Sequence, residues 1–441
     1  MKLSFLINCD SKHNALTVMK FYFFKNLRMK NLFAVFILLL FFSCKESGVQ
    51  IAKPSTFVHY YNGGFNDEAQ DIIETSDKGF LILANSTVSG STTRIKLIKV
   101  DAYGNQVWQK LFPDPKSGSS SNLSAYGLTA IPDLTGADSG YLLVGEEIYS
   151  DPNNPSTPAH SLLMIQVDPD GKEANSTTKT YDSVKIGIQV KGLAVSYSKT
   201  LNNFVVLGKH IQSPTPVDDM FVGSFDSNLN TLWNRTYGDD PTTLANRVFL
   251  SGDSIYWAGT RKAVSNDLMR WLKVQSNTPS VASPTYPAGV TSFNYTCNDV
   301  CRFGSGYGMV GSFGKINSKF TRIAFTGINE FGSLTDSATY LLPSAQVAEA
   351  GNSISRNYDG GFIILGTIAI DDAASDTNYY LIKIGKDGNK LWAKQYGGRF
   401  FDAGKKVIVA SDGGYIVLGT TQLATVGSIF LMKTDSEGNI Q

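Results

Sequence analysis

A short phrase recurs along the whole 441-residue chain: one aromatic residue, three mostly apolar residues and one small residue. Six of its seven copies begin with an aromatic residue and six end with Gly, so the pattern is not an accident of composition. The copies start roughly fifty to sixty residues apart, a period typical of repeat architectures. They are Phe80–Ala84, Tyr141–Gly145, Phe204–Gly208, Ile255–Gly259, Tyr307–Gly311, Phe362–Gly366 and Tyr415–Gly419. The repeat favours one object built from similar units over the two or three domains that the length alone would suggest.

The clearest unit spans residues 348–398 and contains four short apolar or β-branched segments separated by Gly, Asp and Asn. This pattern predicts four strands, here called A to D, with tight hairpins between A and B and between C and D. The segments are Ser353–Tyr358, Phe362–Thr367, Tyr379–Ile384 and Leu391–Tyr396.

Two recurring features have both a structural and a functional interpretation. The C–D turn repeats an Asp/Gly spacing that could suggest calcium, but the run of acidic ligands closed by Glu is missing, so turn chemistry is favoured. The strand D aromatics are expected to fill the space between neighbouring sheets rather than to stack on a sugar. They are Trp108, Trp233 and Trp392, with Phe112, Tyr237 and Tyr396 four residues on.

Seven units of four strands without helical periodicity predict an all-β, seven-bladed β-propeller with antiparallel blades. The last unit ends after strand C and its turn, whereas Val58–Gly64 resembles the strand D phrase Trp392–Gly398. We therefore expect the N-terminal strand to complete the last blade, which removes an open sheet edge. Units four and five, about residues 238–342, have drifted, and Gln275–Gly289 replaces a C–D turn.

Residues 1–43 are interpreted as a targeting segment. Met29-Lys30-Asn31 is a short basic start, and Leu32–Phe42 is an apolar run too short to span a bilayer but suited to a secretory signal. Cys44, which follows Ser43, resembles the lipidated Cys of bacterial lipoproteins, although Phe41 and Phe42 depart from that pattern. The alternatives are an ordinary signal peptide or an uncleaved anchor. The predicted organisation is a signal at 1–43, a linker at 44–54 and a propeller at 55–441.

Cys297 and Cys301 are the two cysteines outside the targeting region. Outside the cytoplasm such a pair is most simply a disulfide, provided that the backbone turns back between them. A metal site would need more ligands, and His59, His160 and His210 are scattered among units, so no metal and no cofactor is expected. The formal net charge of +1 gives no reason to expect a nucleic-acid partner.

The hairpins separate two faces of the predicted propeller. The A–B and C–D turns are short, whereas the B–C and D–A connections are long and variable, and such loops concentrate binding residues. We call the second side the long-loop face. The alternative for each of its residues is a solvated loop position. The candidates on this face are Tyr149, Asp151, His160, His210, Asp218, Asp219, Asp371, Asp372 and Asp376.

The repeat resembles the propeller repeats of secreted proteins and lipoproteins of Gram-negative bacteria. The resemblance covers about residues 55–441 and is carried by Asp359–Gly366, Leu97–Asp101 and Gly388–Gly398. A more distant similarity to quinoprotein propellers lacks their eight blades and quinone-pocket residues. The resemblance implies a fold and a role at the cell surface, with Cys44-Lys45-Glu46 similar to an outer-surface sorting signal.

No nucleophile elbow, phosphate loop or metal-spaced His pair occurs, so no catalytic residue is assigned. The leading hypothesis is a lipid-anchored, extracytoplasmic binding module of the outer membrane that takes a protein or a glycan on its long-loop face. One alternative is a carbohydrate-active enzyme, a glycoside hydrolase or lyase, with loop carboxylates at the channel mouth. Another is a purely structural module of a surface assembly.

Overall fold

The structure is a computed structural model, and all of its described residues belong to the compact unit Pro54–Gln441. It describes residues 55–89, 92–113, 122–151, 154–181, 189–211, 218–237, 243–251, 254–262, 266–275, 278–282, 285–286, 292–329, 331, 333–340, 348–371, 375–423 and 425–440. The targeting segment and Cys44 lie outside them. Within these ranges, the chain contains no helix with the length and hydropathy that a membrane span requires.

The described strands form seven antiparallel sheets, numbered here as blades in chain order. Strand β1 (Phe57–Tyr61) belongs to the last of them. Blade 1 contains β2 (Asn66–Glu74), β3 (Phe80–Ser89), β4 (Thr92–Val100) and β5 (Gln106–Phe112). Blade 2 contains β6 (Asn122–Pro132), β7 (Asp138–Asp151), β8 (Asn154–Val167) and β9 (Glu173–Tyr181). Blade 3 contains β10 (Gln189–Ser198), β11 (Asn203–Ile211), β12 (Asp218–Asp226) and β13 (Thr231–Tyr237).

The remaining blades include the two drifted units, where one strand position is divided between two short strands. Blade 4 contains β14 (Thr243–Ser251), β15 (Ser254–Lys262), β16 (Asp267–Gln275), β17 (Thr278–Ala282) and β18 (Thr285–Tyr286). Blade 5 contains β19 (Phe293–Tyr295), β20 (Asp299–Phe303), β21 (Gly306–Lys315), β22 (Thr321–Ile328) and β23 (Leu334–Tyr340). Blade 6 contains β24 (Glu349–Arg356), β25 (Phe362–Ala369), β26 (Thr377–Ile384) and β27 (Lys390–Tyr396). Blade 7 contains β28 (Asp402–Val409), β29 (Tyr415–Leu423), β30 (Val426–Thr434) and β1.

The hydrophobic core lies in the seams between neighbouring blades. Strands B and C are buried on both faces, which is why they read as continuous apolar runs such as Phe80–Leu83. One cluster joins Leu81 of blade 1 to Leu143 of blade 2, and another joins Leu418 of blade 7 to Ile82 of blade 1. Because the last blade packs on the first, the sheets close into a ring, and the all-β propeller predicted from the sequence is confirmed.

The spacing between blades explains why glycine occurs on the inner strands and tryptophan on the outer ones. Near the axis the sheets lie close: a Cβ built on Gly351 would lie 2.7 Å from the carbonyl oxygen of Gly311 in the preceding blade. At the outer edge the gap is wide, and the Trp108 ring covers Gly171 in the C–D turn of the next blade, at φ +73°. Trp392 covers Gly438 in the same way. The strand D tryptophans therefore fill the seams, as the sequence predicted.

Charged residues of the repeat have a structural role on the short-turn face. A lysine of strand C binds the aspartate of the A–B turn in its own blade in three blades, through Lys99–Asp77 at 2.8 Å, Lys383–Asp359 at 3.2 Å and Lys433–Asp412 at 2.6 Å. The C–D turn aspartates accept backbone N–H groups of their own turns. Asp101, for example, accepts from Tyr103 and Asn105 at 2.8 Å each. Turn chemistry thus accounts for the Asp/Gly spacing.

Strand β1 closes the ring by pairing with β30. Tyr61 lies opposite Ile429, and Phe57 lies opposite Lys433. The Tyr61 hydroxyl donates to the carbonyl of Gly104 at 2.6 Å, just as the Tyr396 hydroxyl donates to that of Gly438 at 2.5 Å. The predicted pairing is therefore found, but Tyr61 matches Tyr396, which shifts the sequence alignment of the two phrases by one residue.

Deletion of residues 55–64 should abolish cooperative folding, because it exposes the edge of β30 and opens the seam between blades 7 and 1. The milder change Tyr61→Phe removes one buried hydrogen bond and should lower the free energy of unfolding by about 1 kcal/mol. Denaturant titration measures both effects. Tyr103→Phe, at a ring that is 63% exposed, is the matched control and should change little. Equal stability of the deletion variant and the wild type would contradict the closure.

Candidate functional site

Two described hairpins extend far towards the long-loop face. Strands β7 and β8 continue to Asp151 and Asn154, and β11 and β12 continue to Ile211 and Asp218. The sequence predicted loops at these places because their residues are polar. Backbone pairing nevertheless continues through these residues, because a part of a hairpin that is surrounded by solvent does not need apolar side chains. Candidate residues on these hairpins are thus held by backbone pairing.

The structure distributes the predicted residues over several blades. Tyr149 and His160 lie on the β7–β8 hairpin of blade 2, and His210 lies opposite Asp219 in blade 3. The side chains of Asp151, Asp218 and Asp219, and the whole of Asp372, lie outside what the structure describes. Asp371 accepts the backbone N–H of Ser375 at 2.9 Å and so caps its own connection. The candidates whose side chains the structure describes lie on different blades and do not converge on one site.

A different set of residues converges at the axis. The innermost strand of each regular blade contains a β-bulge at the same place, for example between Ala69 and Asp71 and between Gly404 and Lys406. A bulge leaves one residue outside the ladder and re-aims its side chain. In blade 5 the break between β19 and β20 has the same effect at Asn298. We call these residues the bulge ring: Gln70, Tyr126, Leu193, Asn298, Asn352 and Lys405.

The bulge ring lines a cavity of ≈ 340 Å³ in the half of the central channel nearer the long-loop face. Amide, hydroxyl and ammonium groups dominate it. The half nearer the short turns is a cavity of ≈ 530 Å³ with mainly aliphatic walls, which include Ile72, Leu128 and Val195. The half of the channel nearer the long-loop face is therefore the more polar of the two.

The buried carboxylate of Asp299, next to the bulge-ring residue Asn298, connects three blades around the polar half of the channel. Asp299 accepts hydrogen bonds from the hydroxyl of Ser353 at 2.6 Å and the backbone N–H of Ile354 at 3.1 Å, both in the next blade. It also binds the ammonium group of Lys406, two blades away, at 2.7 Å. Neighbouring Lys405 projects into the channel. Desolvation by the channel walls lowers its pKa, while the carboxylates of Glu68 and Asp71 act in the opposite direction.

A four-residue charged cluster adjoins the bulge ring between blades 2 and 3. Glu146, which is 3% exposed, lies at its centre. It accepts from the Tyr126 hydroxyl at 2.8 Å and binds the Lys191 ammonium at 3.0 Å and His160 Nδ1 at 2.7 Å. The Lys191 ammonium also lies 3.9 Å from the centre of the Tyr126 ring. We call these four residues the Glu146 cluster.

The partners of Glu146 determine its protonation state. Burial alone would raise the pKa of this carboxyl, but the hydrogen bond from His160 and the charge and hydrogen bond of Lys191 outweigh it and lower the pKa to about 2. Glu146 is therefore an anion throughout the physiological range. A general acid or base works best with a pKa near the operating pH, so this carboxylate serves to hold its neighbours in place.

The sequence analysis missed the bulge ring and three members of the Glu146 cluster. A signal for the ring exists: a small residue precedes every bulge, as at Ala69, Ala125 and Gly192. A Cβ on Gly192 would lie 3.0 Å from the carbonyl oxygen of Gly145 in the preceding blade. That close approach accounts for the small residue, and the residue after it faces the channel.

The disulfide proposed for Cys297 and Cys301 is not formed, and both are free thiols. Cys297 packs in the seam between blades 4 and 5 with Trp271, whereas Cys301 packs in the next seam with Phe362. The two side chains thus lie on opposite faces of blade 5. The chain does not turn back between them, and the break between β19 and β20 at Asn298 shifts the alternation of side chains by one residue. Burial raises the pKa of both thiols.

Comparison with known proteins does not assign the chain to a family. No family model matches the sequence, and no curated protein matches it. The β-propeller domain of the Trilobed protease from Pyrococcus furiosus is 9% identical, with 84% of this chain and 98% of that chain covered and a TM-score of 0.47. The Dos1 propeller is 10% identical, with 83% and 77% covered and a TM-score of 0.46. Trypanosoma rangeli sialidase in complex with the inhibitor DANA is 8% identical, with 84% and 55% covered and a TM-score of 0.47.

Replacing Glu146 with Gln should lower stability on the order of 3 kcal/mol at neutral pH, since the carboxyl pKa falls from 4.5 to about 2 on folding. A depressed pKa stabilises the fold above the unfolded value, and this contribution disappears as the pH falls towards the folded value. The difference from wild type should therefore shrink between pH 4.5 and about 2. Denaturant unfolding across this range measures it, with Glu147→Gln as the neighbouring control. A pH-independent difference would contradict the paired anion.

Proposed function

We propose that the protein is a lipid-anchored, extracytoplasmic, seven-bladed propeller that binds a protein or a glycan through its long-loop face. In this proposal, the seven sheets together form the complete propeller. The channel mouth is the centre of the binding surface. The observation that supports this most directly is the bulge ring, which directs amide, hydroxyl and ammonium groups into a cavity of ≈ 340 Å³. A few convergent polar groups in a concave, rigid site are typical of ligand recognition.

The Glu146 cluster favours a binding role over acid–base catalysis. Its carboxylate is saturated by hydroxyl, imidazole and ammonium partners, and its pKa of about 2 keeps it from exchanging protons near neutral pH. The cluster also fixes Tyr126, a member of the bulge ring, through its hydroxyl. A preorganised donor and acceptor set loses less entropy when a ligand binds.

The path of the chain supports an orientation relative to the membrane. Phe57 enters β1 beside Lys433, close to the C–D turn, and the Ser55 hydroxyl lies 3.5 Å from the Ala102 carbonyl in the neighbouring C–D turn. The chain therefore joins the propeller on the short-turn face. A lipid on Cys44 would be only about ten residues away, within roughly 35 Å of extended chain. The anchor would then hold the short-turn face towards the membrane and leave the long-loop face available to ligands.

Replacement of Cys44 by Ser should release the protein from membranes, because one thioether-linked lipid group would be lost. Fractionation of cells that express either form measures the released share, and metabolic labelling with an alkyne fatty acid reports the lipid itself. Lys45→Ala is the matched control and should stay in the membrane fraction. Retention of the Cys44→Ser variant would reject the lipid anchor without affecting the binding proposal.

The binding proposal is tested with the full-length chain on a glycan array and against solubilised envelope proteins. Asn352→Ala and Lys405→Ala should each lower the affinity for any captured ligand at least tenfold, since each removes a hydrogen-bonding group from the channel mouth. Leu232→Ala, at an exposed position on the outer strand of blade 3, should have no effect. Equal binding by the bulge-ring variants and the wild type would contradict this location of the site. Whether the captured ligand is a protein or a glycan decides between the two proposed ligand classes.

A further inference from the structure

A pocket of ≈ 500 Å³ opens between blades 6 and 7, away from the channel. Tyr60, Phe400 and Phe430 supply much of its aromatic wall, and Asp402 is among its lining residues. Tyr60 and Phe400 are about half exposed, whereas Asp402 is 2% exposed. Aromatic walls over one buried acid distinguish this pocket from the polar channel mouth.

The seam between blades 7 and 1 contains an equivalent buried aspartate, Asp67, which is paired with a lysine of the protein itself. Asp67 binds the ammonium of Lys96 at 2.5 Å and accepts the Ser86 hydroxyl at 2.5 Å. Both charged side chains are almost completely buried. The Lys96 ammonium lies 5.9 Å from the centre of the Phe65 ring, and a Cβ on Gly63 would approach it to 2.8 Å. These five residues, Asp67, Lys96, Ser86, Phe65 and Gly63, thus form one unit.

Strand register matches the two seams residue by residue. Asp67 pairs with Ser86 in blade 1, and Asp402 pairs with Thr421 in blade 7. Lys96 lies opposite Ala84, the small residue of the repeated phrase, and Phe430 lies opposite the corresponding Gly419. Counting back from the two acids matches Phe65 with Phe400 and Gly63 with Gly398. The pocket therefore repeats the unit, with phenylalanine in place of lysine.

Asp402 therefore lacks, among the described residues, the lysine partner that Asp67 has. Of the described lysine, arginine and histidine side chains, none forms an ion pair with Asp402. Burial raises its carboxyl pKa, and the nearby charge of Asp376 adds to this effect. Within the described residues, no atom lies within 4 Å of a Cβ built on Gly398, where the Lys96 ammonium would stand in the other seam. The described residues leave space for an ammonium group there.

We propose that this pocket binds a primary alkylammonium group of a ligand, with Asp402 as its counter-ion. The ammonium takes the place that the Lys96 head group occupies in the neighbouring seam. Asn378 Oδ1, buried and without a hydrogen-bond partner among the described residues, lies beside the carboxylate and can accept a second N–H. The rings of Tyr60 and Phe400 flank the alkyl stem and add cation–π attraction. This site is independent of the channel mouth and of the lipid anchor.

The ammonium could be carried by a lysine side chain of a partner protein or by a free small amine. Both present the same head group on a flexible apolar stem. The probes are therefore n-butylammonium for the small amine and Nα-acetyl-lysine amide for the side chain. 1-Butanol and the Nε-acetylated lysine derivative are neutral controls of similar shape. Tighter binding of one cation than of the other identifies the source.

Titration of the purified full-length chain, followed by NMR, measures affinity for each probe. We expect both ammonium probes to bind at least tenfold more tightly than their neutral controls. Asp402→Asn should lose this preference, whereas Asp387→Asn, in an exposed turn, should keep it. Phe430→Lys should also lose it, because an internal ammonium would then bind Asp402 as Lys96 binds Asp67.

Equal affinity for the charged and neutral probes, or unchanged preference in a folded Asp402→Asn variant, would overturn the proposal. Thermal unfolding checks that each variant is folded. If Phe430→Lys does not fold, the isosteric Asp402→Asn variant still decides the outcome. Weak binding of both cations with no effect of Asp402→Asn would show surface association only, and this would also count against the site.

Discussion

The wedge-shaped space between sheets that radiate from one axis governs this molecule. Neighbouring blades nearly touch at their inner strands, so Gly311 and Gly351 leave no room for a side chain between them. At the outer strands the gap admits an indole, and Trp108 and Trp392 fill it over glycine turns of the next blade. The repeat unit as a whole reflects this gradient, with small residues on the inner strands, where the blades converge, and large rings on the outer strand, where they diverge. The ring closes only because β1 supplies the outer strand of blade 7.

The wedge also explains how much of the fold could be predicted. Seam packing acts on every blade alike, so it leaves a periodic signal, and the strands, their order and the closing strand could be inferred from it. Lengths of the hairpins on the long-loop face could not, because β7 and β8 extend through polar residues that resemble loop. The Cys297–Cys301 spacing allowed a turn that the extended inner strand of blade 5 does not make.

The candidate site was less predictable, since it consists of departures from the repeat. His160 was identified from its position on the long-loop face, but its partners Glu146 and Lys191 come from different strands and blades, and no local pattern connects them. The bulge ring has a positional signal in the preceding small residue, yet its own members share no side-chain type. Recognition groups vary where the scaffold does not constrain them, so sequence reasoning can locate such positions without identifying their chemistry.

Repetition makes each blade a control for the others, and this is most informative where buried charge is involved. Removing one partner from a buried ion pair typically costs about 3–5 kcal/mol, because the remaining charge is desolvated without compensation. The Asp67–Lys96 pair avoids that cost internally. At the matching place in blade 7 the acid is retained as Asp402 while the lysine is replaced by Phe430, and an open pocket lies beside it. An apolar residue in place of Asp402 would relieve the cost at once, so a buried acid that faces an aromatic pocket is better explained by a cation that arrives with a ligand.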